Sequence, residues 1–174
     1  MKRDIFLWQF ISFTFACVIG SLLHFVYSWT NFTPLAIISS VNESTFEHIK
    51  ILFFPMLIFA IFEWFYFKDY YKGFWCVKLK GVFLGTILIP ILFYTLTGIF
   101  GTLNGFINIL LFFISALIPS IYEGKLLKEN KPCKLGLLAF ITLCLMAVLF
   151  SLFTFFSPKI PLFLDPITKT YGIQ

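Results

Sequence analysis

The chain has 174 residues, 60% of them hydrophobic and only 12% charged, with a formal net charge of +5. A soluble domain carries about 25% charged and 45–50% apolar residues, and it cannot hide a larger apolar excess from water. Composition therefore excludes a soluble globular fold, and a nucleic-acid partner is not expected, because the basic residues fall almost entirely at the ends of apolar runs.

A helix that crosses roughly 30 Å of hydrocarbon needs about 20 apolar residues. Five runs meet that length, at about 5–29, 49–67, 77–96, 103–122 and 135–156, which predicts a single all-α membrane domain over 1–174. The first run lacks a small-residue cleavage site and reads as a retained helix. Short linkers between the last four make neighbouring helices antiparallel. Pro55, Pro90 and Pro119 are expected to kink the second, third and fourth helices. Gly81 and Gly85 have the small-xxx-small spacing of close helix packing. Trp8, Trp29, Trp64 and Trp75 lie near predicted helix ends, as an interfacial belt requires.

Orientation follows from the basic residues, twelve Lys and a single Arg. Lys2 and Arg3, then Lys68, Lys72, Lys78 and Lys80, then Lys125, Lys128, Lys131 and Lys134 all fall at one end of the bundle. Positive loops stay in the cytoplasm, so the bundle is expected to be N-in and C-out, in a cell membrane, with the tail 157–174 outside. Of the four cysteines, Cys17 and Cys144 lie inside apolar runs. Cys76 and Cys133 fall on the reducing side, which argues against a disulfide between them.

The densest polar stretch is Ser39-Ser40-Val41-Asn42-Glu43-Ser44-Thr45-Phe46-Glu47-His48-Ile49-Lys50, at the outer mouth of the second helix. At helical spacing Glu43, Glu47 and Lys50 share one face, and Ser44 and His48 an adjacent one. Charges at the edge of hydrocarbon are costly unless paired or wetted, which turns this face toward the bundle or a water-filled cavity. Ser40-x-x-Glu43 and Ser44-x-x-Glu47 also match capping boxes, which explain one Ser and one Glu but leave Asn42, His48 and the second acid over.

On the proposed outer side lie His24, near the end of the first helix, and Asn104 and Asn108, one turn apart on the fourth. The tail is too rich in Pro for a helix and too apolar for water, and Asp165-Pro166 marks a turn. It is expected to fold over the outer mouth and bring Asp165 to the motif. The ligand-binding set is then Asn42, Glu43, Ser44, Glu47, His48, Lys50, His24, Asn104, Asn108 and Asp165. At the other end, Glu63 is expected to pair with Lys68 and Glu123 with Lys125, a proton relay being the alternative role for Glu63.

The run Val41-Asn42-Glu43-Ser44, Glu47-His48-x-Lys50 and Phe53-Phe54-Pro55 resembles a family of small bacterial multi-pass membrane proteins known only as a domain of unknown function. Pro161-Leu162-Phe163-x-Asp165-Pro166 and Tyr171-Gly172-Ile173 resemble that family's ending, and Phe46 stands where Trp is expected. The resemblance implies a bacterial membrane protein and supplies no activity.

Three readings follow. In the first, the outward-facing polar pocket binds or transports a small polar solute or cation; five helices hold no inverted repeat, so transport calls for a homo-oligomer. In the second, a membrane-embedded enzyme acts on a lipid or lipid-linked substrate, with His48, Glu47 and Glu43 as catalytic candidates, or with His24, His48 and Glu47 holding a metal. In the third, the motif only locks the second helix to the tail in a structural or assembly subunit. No cofactor is named by any motif.

Overall fold

The computed structural model describes residues 4–173, so Lys2, Arg3 and Gln174 lie outside the described residues. Five helices are long and apolar enough to cross a membrane: α1 (Ile5–Thr30), α2 (Thr45–Phe67), α3 (Phe74–Phe100), α4 (Gly105–Glu129) and α5 (Gly136–Phe155). The apolar runs foretold them, but α1 to α4 run past the hydrocarbon-length estimates at one end or both while α5 stops inside its own, and three of the starts are set by polar caps. Asp4 accepts from the Leu7 amide, Ser44 from that of Glu47 and Asn104 from that of Ile107. α1 and α4 stop at Asn31 and Asn130, each in the left-handed conformation that Asn tolerates.

α2 is the hub. Of its apolar window 67% is buried, against 11% in α5, so α2 is screened by its neighbours while the others present broad apolar faces outward. α1, α4, α3 and α5 follow one another around it. Between α5 and α1 the 3-10 turn Thr33–Ile37 fills the gap, touching both.

All three prolines sit inside continuous helices. Each removes an N–H and frees the carbonyl four residues back. Two freed carbonyls are met by glycines of a neighbouring helix. A Cβ on Gly20 would lie 2.9 Å from the Ile51 oxygen freed by Pro55, and one on Gly85 would lie 3.1 Å from the Ser115 oxygen freed by Pro119. Glycine is needed there because the backbones approach too closely for a side chain.

The tail folds back onto the start of α2. Its 3-10 turn Pro161–Phe163 places the Phe163 ring 4.3 Å from that of Phe46 and 5.7 Å from that of Phe153 on α5. An isolated bridge between Leu164 and Tyr171 closes the turn, and Gly172, at φ 67°, leads the chain past Ser157 where a Cβ would crowd the Ser157 hydroxyl.

One expectation is overturned. Cys76 and Cys133 form a disulfide, with Cα atoms 6.4 Å apart. They are 57 residues apart, but Gly73 at the head of α3 lets the α4–α5 linker close in on that turn, where a Cβ would strike the Lys131 carbonyl. Compartment alone had counted against the bond, whereas the packing of the two turns brings the sulfurs together.

Candidate functional site

The loop before α2 is built from side chains bonding to nearby backbone. Ser39 donates to the Leu35 carbonyl and Ser40 to that of Asn42, while the Ser40 amide donates to Leu23 at the end of α1. The Asn42 carbonyl side-chain oxygen accepts from the Ser44 amide at 2.9 Å, an Asx turn, and its amide donates to the Gly172 carbonyl at 3.0 Å. Asn42 is thus the joint between motif and tail.

Ser44 is the N-cap, so Glu43 precedes the helix and does not share a face with Glu47 and Lys50 as helical spacing had suggested. The acids diverge. Glu47 and Lys50 turn inward as a fully buried pair at 2.6 Å. The Lys50 ammonium also donates to the Ala36 carbonyl at 2.9 Å and to the Thr154 hydroxyl at 2.7 Å. Glu47 accepts from the Val41 amide at 3.1 Å. These contacts tie the loop, α2 and α5 to one another.

Glu43 turns the other way, to the end of α1. Its carboxylate lies 3.3 Å from Nε2 of His24 and 3.9 Å from Nε2 of His48. One ligand atom from each of the three residues falls within 4.8 Å of the others, and all three are partly buried. The acid that meets the two histidines is thus Glu43, not Glu47. His48 Nδ1 lies 2.9 Å from the Ser44 carbonyl, which can only accept, so that nitrogen carries the proton. Nε2 then turns its lone pair toward the negative Glu43. A proton on Nε2 or a cation between the two groups would satisfy that pairing. Nδ1 of His24 is buried without a hydrogen-bond partner. The His24 ring holds the Glu43 carboxyl below the usual carboxylate range, against the effect of burial.

Asp165 comes to the motif, though through backbone. Its Oδ1 accepts from the Ile167 amide at 2.7 Å and the Thr168 amide at 3.2 Å, and its Oδ2 from the Glu43 amide at 3.4 Å. Burial pushes its carboxyl up, and these donors outweigh it and hold the carboxyl low. Asn104 is spent on capping α4, and Asn108 Oδ1 is buried without a partner. Among the described residues no hydrogen bond or ion pair joins either Asn to the Glu43 group.

At the opposite end Glu63 and Glu123 pair not with Lys68 and Lys125 but with one residue, Lys78. Lys78 had read as a loop charge, yet it is 2% exposed. Gln9 of α1 donates to Glu63 at 3.3 Å. The sequence signal for Gln9 was its place as a lone amide in the apolar stretch of α1; a lysine at a helix start gave none.

The match to known families comes at the level of the whole chain. The model of DUF6512, a family of unknown function, matches residues 2–173. The chain belongs to that family. No curated protein and no solved structure matches it. DUF6512 brings no activity with it, so function has to be argued from the geometry above.

Proposed function

We propose that this DUF6512 chain is a multi-pass protein of a bacterial cell membrane that binds a divalent transition-metal cation between His24, Glu43 and His48. The supporting observation is the pairing of two imidazoles with one carboxylate, with His48 fixed by the Ser44 carbonyl so that Nε2 faces Glu43. A backbone acceptor on the distal ring nitrogen is the usual support of a metal-binding histidine. Ligand atoms about 2.1 Å from a tetrahedral ion lie about 3.4 Å apart. The observed 3.3 and 3.9 Å run to different Glu43 oxygens, and with one ligand atom per residue the three lie within 4.8 Å of one another, so side-chain rotation has to draw them in by up to about 1.4 Å.

The clustering of lysines at the other end supports an N-in, C-out orientation, with the site and tail on the extracytoplasmic side. Asn42 and Asp165 then act as positioning residues, since they set the Glu43 backbone, while Ser44, Glu47 and Lys50 set the start of α2. A metal-assisted enzyme acting on a lipid-linked substrate is the second reading. It is favoured by one feature: three protein donors leave a coordination position open, as catalytic zinc sites do.

Elemental analysis of the purified protein, loaded with Zn²⁺ and desalted, tests the proposal. One equivalent retained by the wild type and lost in His24→Ala and His48→Ala is expected. Retention of no metal, or the same metal in both variants, would overturn it.

A further inference from the structure

We propose that the cluster of Gln9, Glu63, Lys78 and Glu123 is a proton-binding site that holds one exchangeable proton between its two carboxyl groups at neutral pH. It rests on observations independent of the metal site. The cluster draws one residue from each of four helices: Gln9 from α1, Glu63 from α2, Lys78 from α3 and Glu123 from α4. The fifth helix, α5, carries no charged residue. All four members are buried, at 5%, 0%, 2% and 2% exposure.

Lys78 pairs with Glu63 and, at 2.5 Å, with Glu123. Among the described residues no other cation pairs with either acid, and the ammonium also lies 5.6 Å from the centre of the Phe74 ring. Two carboxylates against one ammonium leave one negative charge uncompensated. An unpaired charge away from water costs several kcal/mol, about the scale at which a group takes up a proton instead. The contrast with Glu47 and Lys50 is instructive, because that buried pair is one to one and balanced.

Gln9 supplies the second observation. Its amide touches Glu63 through Nε2, yet its own Oε1 is buried with no donor. What Oε1 lacks is an O–H or N–H, and a protonated Glu63 is the group in reach that can provide one. The two ends of an amide are nearly the same size, so a half-turn of the Gln9 side chain puts Oε1 opposite Glu63 and satisfies both. Gly81 makes room for the arrangement, since a Cβ there would collide with the Glu123 carboxylate.

Infrared spectroscopy of the full-length protein reads this directly through the carbonyl stretch of a neutral carboxylic acid. The wild type should show one such band at neutral pH, shifted in deuterated water and lost at alkaline pH. Glu63→Gln and Glu123→Gln should each abolish it alone, because either change leaves a balanced one-to-one pair with Lys78. Lys78→Met should raise it about twofold, both acids then being neutral. No band in the wild type, or a band that survives either single glutamine variant, overturns the proposal. Since both glutamine variants keep an intact ion pair, they do not depend on the folding of Lys78→Met.

Discussion

Glu43 and Glu47 are four residues apart and do opposite work. Glu47 is 1% exposed and bound to Lys50, so removing one partner strands the other charge. Glu47→Gln or Lys50→Met should cost about 3–5 kcal/mol, and Glu47→Gln with Lys50→Met together less than the sum, as thermal melting in detergent would show. Glu43 is 42% exposed and should lose at most about 1 kcal/mol on change to Gln, while losing its metal. Asp165 adds a pH dependence. Its carboxyl is held low in the folded state, so its contribution is present above the ordinary carboxylate pKa and fades as pH falls through the lower folded value. Melting temperature should therefore drop on acidification, and Asp165→Asn should melt lower at neutral pH with a flatter pH curve. The loss should be about 1.5–3 kcal/mol, the range for hydrogen bonds to a charged acceptor.

The helices were legible because lipid imposes a length: a run of about 20 apolar residues matches the hydrocarbon thickness, and a helix is the form that satisfies its own backbone there. Their ends were not, because beyond the hydrocarbon Ser44 and Asn104 decide where the helix begins, and α2 starts at Thr45 where the apolar run suggested 49. With Ser44 as the cap, Glu43 stays just off the helix, so the shared face with Glu47 and Lys50 that helical spacing suggested is not formed. Lys78 was unreadable for another reason: one lysine at a helix start looks the same whether it marks topology or binds two acids of other helices. Helix packing carries its own prediction. Gly20 lies against the carbonyl freed by Pro55 and against the Phe112 ring, so Gly20→Val should cost about 1–3 kcal/mol by overpacking. Gly98, with nothing within 4 Å of an added Cβ, should accept Ala with little change in melting.

Across the whole molecule, α2 links two polar centres, the His24–Glu43–His48 cluster at its start and the Lys78 cluster near its end. His48 and Glu63 lie about 22 Å apart along the helix at 1.5 Å per residue. The lysines and the Cys76–Cys133 pair share the second end, and the proposed orientation puts that end in a reducing compartment. With thiols blocked before lysis, alkylation of both cysteines would place that end in the cytoplasm, the disulfide then closing on later oxidation. A disulfide already closed in the cell would place the lysine-rich end outside. The sequence showed the densest polar stretch at the start of α2, and the structure supplied which acid faces which histidine. A Co²⁺ titration tests that pairing most directly, through the visible absorption of a four-coordinate ion. The wild type and Asn104→Ala, which changes only a helix cap, should saturate at one ion per chain, and Glu43→Gln and His48→Ala should not. Undiminished absorption in Glu43→Gln, or none in the wild type, would contradict the site.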